Sequence, residues 1–130
     1  MDKKLFLIFN HEITGVQEKD AVNSLGVGSI VALPDDLKAL WSNVPPDLQE
    51  IRSYLQPVMD WLEKNADKDD YVLVQGDFGA CYLMVQFCFE KGLVPVYSTT
   101  RREAVEKHLP DGSISLKHVF RHRIFRIYEG

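Results

Sequence analysis

Residues 71–85 read Tyr71-Val72-Leu73-Val74-Gln75-Gly76-Asp77-Phe78-Gly79-Ala80-Cys81-Tyr82-Leu83-Met84-Val85. Four strand-forming apolar residues run into a polar turn with two glycines. An apolar helical run follows at once. That order predicts a strand, a tight turn and a helix N-terminus. A helix start has backbone N–H groups without intrahelical partners, and its dipole presents partial positive charge. Such a junction is a natural seat for a phosphate. The segment has no Gly-Lys-Ser/Thr and no full dinucleotide fingerprint, which argues against an ATPase.

The elements on either side set the fold class. Lys4 to Phe9 is nearly all apolar and predicts a buried strand. Thr14 to Leu25 predicts a helix, with Thr14 as N-cap, Val16, Ala21, Val22 and Leu25 inward, and Gly26 and Gly28 at its end. Ser29–Leu33 predicts a second strand. Pro34-Asp35-Asp36 opens a short helix through Trp41. After the Pro45-Pro46 corner, Asp47–Ala66 has apolar residues at helical spacing, with Pro57 expected to kink or divide it. Residues 71–75 form the third strand and 79–91 the third major helix. Leu93–Ser98 predicts the fourth strand. A short helix is expected over Arg101–His108, then a turn at Leu109–Ser113. Residues 114–128 are β-rich. Their apolar parity changes near Arg121, which predicts a hairpin or bulge around Arg121-His122-Arg123.

Alternating strands and helices imply an α/β protein with an open, mostly parallel sheet, flanking helices and a C-terminal β-hairpin. At 130 residues, a single domain over 1–130 is expected. No apolar run approaches the roughly 20 residues of a membrane helix. The start of the chain reads as a strand and not a signal peptide, so a cytoplasmic location is expected. Cys81 and Cys88 read as packed, reduced thiols, and no metal-ligand spacing is visible.

Charge is unevenly spread. Residues 1–100 carry 8 Lys/Arg against 15 Asp/Glu, and residues 101–130 carry 7 against 4. Such a chain is a poor general binder of duplex nucleic acid. A small polyanion in a local basic pocket fits better.

With strand order 2-1-3-4, ligands bind at the carboxyl ends of the strands, where the order reverses. Three polar tips then share one edge: Asn10-His11-Glu12, Gln75 to Gly79, and Ser98 to Arg102. Gly76 and Gly79 let a phosphate approach, or serve only the turn. Asp77 either caps the helix or accepts from a ribose or adenine. Phe78 is a core residue or a stacking platform. Asn10 can contact a base edge or phosphate. His11 is a candidate general base. Thr99, Thr100, Arg101 and Arg102 offer hydroxyls and guanidinium forks to phosphate oxygens. The alternative for the arginines is pairing with Glu103 and Glu106. Arg121, His122, Arg123 and Arg126 add positive potential or form a lid. Trp41 and Trp61 are expected in the core or an interface.

Taken together, LFLIFNHEIT, ALWSNVPPDL, YVLVQGDFGA and STTRREAVE…DGS…KHVFRHRIFR resemble a family of small CRISPR-associated proteins of the Csx type. The resemblance runs almost end to end. It implies a Rossmann-like fold related to the CARF domains that bind cyclic oligoadenylates. It also implies a ring nuclease, which cuts the cyclic tetra-adenylate messenger of type III CRISPR systems and ends the antiviral response. No catalytic residue carries over from the resemblance.

Such a reaction needs no metal and no cofactor. A ribose 2′-hydroxyl attacks the adjacent phosphorus, giving a 2′,3′-cyclic phosphate and, after two cuts, a linear di-adenylate. Arg101 would stabilise the transition state, with His11 as base. A two-fold homodimer matches the near-symmetric ring. Two other readings use the same residues: a module that binds the ring without cutting it, and an interaction protein whose basic hairpin docks on an acidic partner.

Overall fold

The computed structural model describes residues 2–130. The chain is α/β. A five-stranded sheet of order β2-β1-β3-β4-β5 is flanked by helices. Its strands are β1 (Lys3–Ile8), β2 (Val27–Ala32), β3 (Tyr71–Val74), β4 (Val94–His108) and β5 (Ile114–Ile127). The helices are α1 (Gly15–Asp20), α2 (Asp35–Ser42), α3 (Arg52–Asn65) and α4 (Phe78–Glu90). A π-helical turn, Ala21–Leu25, prolongs α1.

β1 to β4 are mutually parallel, and β5 returns antiparallel to β4. The sheet is therefore mixed, which corrects the expected mostly parallel one. The β4–β5 ladder runs from Val96↔Ile127 to His108↔Ile114 and is longer than any parallel ladder.

β1 shows why its sequence is uninterruptedly apolar. Successive side chains point to opposite faces. Phe6 and Ile8 pack with Trp41, Leu55, Val58, Leu62 and Met84 from α2, α3 and α4. Leu5, Leu7 and Phe9 pack with Ala21, Val96 and Phe125 on the α1 face. Both faces are covered, so neither tolerates polar residues.

α1 starts with a capping box. Thr14 Oγ1 accepts from Gln17 N, and Gln17 Oε1 accepts from Thr14 N. Gly26, at φ +68°, ends the π turn in the left-handed region. Ala21 faces inward as expected, but Val16 and Val22 are exposed. At 3.6 residues per turn Val16 and Val22 lie about 140° and about 100° from Ala21, so helical geometry already turns both away from its face.

Two further expectations are corrected. The long helix begins at Arg52 and not at Asp47. Pro57 stands inside α3, in its second turn, where it forfeits the bond to the Ser53 carbonyl, yet the helix runs on to Asn65 and is not divided. Residues 101–108 are strand and not helix. Their partner β5 overrides local helix propensity, because pairing satisfies the backbone of both segments.

The expected turn at Leu109–Ser113 is present. Leu109 N donates to Ser113 O, Asp111 Oδ1 accepts from Ser113 N, and Gly112 has φ +88°. The parity change near Arg121 is a bulge and not a hairpin turn. Ser98 pairs with Phe125 but Thr100 pairs with His122, so β5 carries one extra residue there. The bulge turns His122 and Phe125 toward the same face, with ring centroids 4.6 Å apart. β4 and β5 continue past the end of β3 as a two-stranded arm. Ten residues of β4 project, roughly 30 Å at strand rise.

Candidate functional site

The register assembles one rim. Ile8 pairs with Val74, and Leu73 pairs with Val96. Continuing those ladders brings Phe9, Gln75 and Ser98 to one level, with Asn10, Gly76 and Thr99 one step above. Two hydrogen bonds tie the row together: Gln75 N to Ile8 O at 3.1 Å, and Ser98 N to Gln75 Oε1 at 2.7 Å. The three strand tips expected from the sequence do share an edge.

Trp41 fixes the turn after β3. It is buried, and its Nε1 donates to Gln75 O at 2.9 Å. Gly76 has φ +155°, and a Cβ there would stand 2.8 Å from Trp41 Nε1. Glycine is thus required at 76 by both backbone and space. Gly79 lies in the first turn of α4, and a Cβ there meets nothing closer than 3.5 Å, so its steric need is small.

Asp77 is the N-cap of α4, its Oδ2 accepting from Ala80 N at 3.0 Å. One N–H of the helix start is therefore already occupied. Asp77→Ala is expected to cost about 1 kcal/mol, the usual worth of a cap, measured by urea unfolding. Phe78 is 94% exposed, so the core alternative is excluded and a free aromatic face stands at the helix start. Phe78→Ser is expected to leave the melting temperature within about 2 °C, because little packing is lost.

Next to Phe78 lies a hollow of about 830 Å³ between α4 and the base of the arm. Tyr82, Phe89, Tyr97 and Tyr128 line it. Tyr128 donates to Val74 O at 2.7 Å, and its ring lies 4.8 Å from that of Tyr97. Arg126 sits over Tyr97 at 5.4 Å and donates to its hydroxyl. Burial pushes the Tyr128 hydroxyl up to about 12 and the Cys81 thiol, also on the wall, up to about 11. Both are neutral donors at physiological pH. Cys88 is buried and pushed up to about 12, as a packed thiol should be.

The cationic group of the sequence is split by strand alternation. Tyr97, Thr99 and Arg101 fall on the α4 face, and Thr100 and Arg102 on the α1 face. Arg101 and Arg102 are both exposed. Among the described residues neither arginine makes an ion pair. Glu103 pairs instead with Arg121, Nε to Oε2 at 2.8 Å, across the ladder rung beside Arg101↔Arg121. Thr99 Oγ1 is engaged with the backbone of Ile124, donating to its O and accepting from its N, both at 3.1 Å. That hydroxyl pins the bulge.

His11 is turned from this group. It stands edge-on to Phe9, at 6.3 Å between centroids, and lines a small hollow on the β2 side with Glu12 and Lys38. Lys38 donates to Glu12 at 2.9 Å and holds that carboxyl below its ordinary range. Asn10 is exposed at the tip of β1.

Sequence reasoning missed a buried chain of polar groups below Ser98. His122 Nδ1 lies 2.5 Å from Ser98 Oγ, and His122 Nε2 lies 2.7 Å from Asp20 Oδ2. The imidazole side chain is only 4% exposed. Gln17 Nε2 reaches Ser98 Oγ at 3.3 Å. Burial raises the Asp20 carboxyl, but hydrogen bonds from Ser24 and His122 outweigh it and hold it below its ordinary value. The partners lie 102 and 24 residues apart, so no local spacing announces them.

Among the described residues, no cluster of three or more His, Cys, Asp or Glu can hold a metal ion. Among the same residues, no helix is long and apolar enough to cross a membrane.

Comparison with known proteins places the chain. No solved structure matches it. A curated relative, "Uncharacterized protein MJ1673" of Methanocaldococcus jannaschii, is 48% identical over 125 residues, which cover 96% of each chain. The model of the family described as "Uncharacterized protein MJ1673 family" matches residues 3–126, the whole sheet and the arm but for the last residue of β5. The chain belongs to the MJ1673 family.

Proposed function

We propose that this protein binds cyclic tetra-adenylate and cleaves it without a metal, as a ring nuclease that silences type III CRISPR signalling. The fold is then a CARF-like, Rossmann-like one with the ring on the carboxyl edge of the sheet. The observation that carries this reading is the shared rim. Asn10, Gly76 and Thr99 stand at one level, Arg101 projects above them, and the aromatic hollow opens alongside.

That arrangement suits the ligand. Phosphates need cationic forks and backbone N–H groups, which Arg101 and the start of α4 supply. Adenines need apolar and aromatic walls, which Phe78, Tyr82 and Tyr97 supply. In the reaction a 2′-oxygen attacks its neighbouring phosphorus, the P–O5′ bond breaks, and a 2′,3′-cyclic phosphate forms. Holding the 2′-oxygen in line supplies about 7 kcal/mol in favourable intramolecular cases.

A two-fold dimer fits the ring, which presents the same half twice. Two exposed apolar surfaces support a second copy as partner. Ile114, Leu116 and Phe120 lie along one face of the arm, and Phe78, Tyr82 and Phe89 along α4. Residues 99–124 of the arm carry 6 Lys/Arg against 3 Asp/Glu, while the rest of the chain is acidic. A two-stranded ribbon of this length is marginal without packing.

Binding without cleavage is the second reading, and the placement of His11 away from the rim favours it. Incubation with cyclic tetra-adenylate in EDTA separates the two. Linear di-adenylate with a 2′,3′-cyclic phosphate is the expected product. An intact ring at stoichiometric protein, with tight binding, selects the second reading. No binding removes both.

A further inference from the structure

The apolar surface of the arm is left uncovered by its own chain. Residues on one ladder rung share a face, so Ile114, Leu116 and Phe120 lie with His108, Glu106 and Arg102 on the α1 side of the arm. They are 54%, 62% and 65% exposed. α1 meets β5 at the base of the arm, through Asp20 and His122. A second exposed apolar stripe runs along α4, where Phe78, Tyr82, Val85 and Phe89 follow at helical spacing. That stripe lies on the opposite side of the sheet, so one chain does not bring the two surfaces together.

We propose that two copies of the chain exchange arms about a two-fold axis. The apolar face of each arm lies on Tyr82, Val85 and Phe89 of the other copy and closes its aromatic hollow from outside. The proposal rests on the two-fold dimer of the ring-nuclease reading and names the contact that forms it.

Charge selects this pairing. Residues 99–124 carry 6 Lys/Arg against 3 Asp/Glu, and the remaining residues carry 9 against 16. Residues 77–90, which are α4 with its cap, hold Asp77 and Glu90 and no Lys or Arg. Glu129 also stands on the hollow. A basic ribbon is attracted to an acid-only helix, whereas two basic arms laid on each other repel. On the apolar face itself Arg102 and Glu106 offset each other.

Size and stability agree. Tyr82 to Phe89 spans roughly 10 Å of helix, and Leu116 to Phe120 roughly 13 Å of strand. The projecting part of the arm is long enough to cross onto a neighbouring molecule. A two-stranded ribbon becomes stable when it packs against a helix, and the exchange supplies that helix. The contact is reciprocal, as a two-fold axis requires, and occurs twice in each dimer. Phe78, at the rim end of the stripe, stays open to the ligand. The hollow that a single chain leaves open to solvent gains its outer wall from the partner.

The test uses the full chain without ligand. Light scattering after gel filtration is expected to give the wild type the mass of two chains, with the dimer Kd taken from sedimentation equilibrium. Phe120→Asp and Tyr82→Glu change exposed side chains and should keep the far-ultraviolet circular dichroism of the wild type. Each is expected to raise the dimer Kd at least about 30-fold, the effect of losing one aromatic anchor from an interface. Mixing the two variants should restore association, because a sound arm of one then meets a sound α4 of the other. A monomeric wild type, or one that grows beyond two chains, overturns the exchange. Loss of the dimer in Phe120→Asp but not in Tyr82→Glu means that arm meets arm, and overturns it too. So does a mixture that associates no better than its components. Cleavage of cyclic tetra-adenylate by a monomeric wild type leaves the ring-nuclease activity standing without the exchange. An exchanged dimer that leaves the ring whole overturns cleavage alone.

Discussion

On the proposed ring-nuclease reading, replacing Arg101 by alanine is expected to slow cleavage of cyclic tetra-adenylate by about 10²–10³-fold, the effect of removing one well-placed donor from a charged transition state. The expectation follows from what surrounds the side chain. Arg101 stands on the α4 face of β4, two residues beyond the rim. Its ladder partner Arg121 is already bonded to Glu103, so the acid that would neutralise Arg101 is occupied. A guanidinium held beside another cation and without a carboxylate is well suited to an anion. Arg102 provides the control. Alternation turns it to the opposite face, with Phe120 as its ladder partner. Arg102→Ala should cost less than about a tenth of the Arg101 effect if only one face carries the phosphates. Single-turnover rates at saturating protein measure both. An unchanged rate in Arg101→Ala removes it from the chemistry.

Trp41→Ala is expected to be the most destabilising single change near the site. The indole is almost completely buried among the residues of α3, α4 and the sheet. Truncating a buried Trp costs about 3–5 kcal/mol, from lost burial and the cavity left behind. The Gln75 carbonyl loses its donor as well, and the turn loses the wall that holds Gly76. Urea unfolding followed by circular dichroism should show the fall in midpoint with little change in slope. A loss below about 1 kcal/mol would mean that the turn is held by something other than Trp41.

Much of the architecture was legible from residues. The strand order over β1 to β4, the turn after β3 and the start of α4 all follow from apolar runs punctuated by glycine and aspartate. The hairpin turn at Leu109–Ser113 was equally plain, because Asp-Gly chemistry is local. Residues 101–108 were misread for the opposite reason. Arg-Arg-Glu-Ala-Val-Glu-Lys suits a helix, and only a distant partner strand makes it extended. Val16 and Val22 are apolar but lie well off the Ala21 face of the helix, so apolar character alone does not place them inward.

The site divides along the same line. The meeting of Asn10, Gly76 and Arg101 at one edge was readable, since topology alone brings strand tips together. That Arg101 and Arg102 separate was not, because it needs residues 99–102 to be strand. His11 was plausible by sequence position, but its side chain follows Phe9 toward β2. His122 was noticed only as part of a basic stretch. Its hydrogen bonds to Ser98 and Asp20 depend on a bulge in β5 and on a carboxylate from α1, and no spacing in the sequence connects them.

The central claim is that one rim of the sheet grips the phosphates of an adenylate ring. The most direct measurement is a crystal structure with a ring made uncleavable by 2′-deoxy substitution. The expected result is a phosphate within hydrogen-bond distance of Arg101 and of the Gly76–Gly79 backbone, with an adenine against Phe78 or Tyr97. A ring bound elsewhere, with this rim empty, would contradict the account.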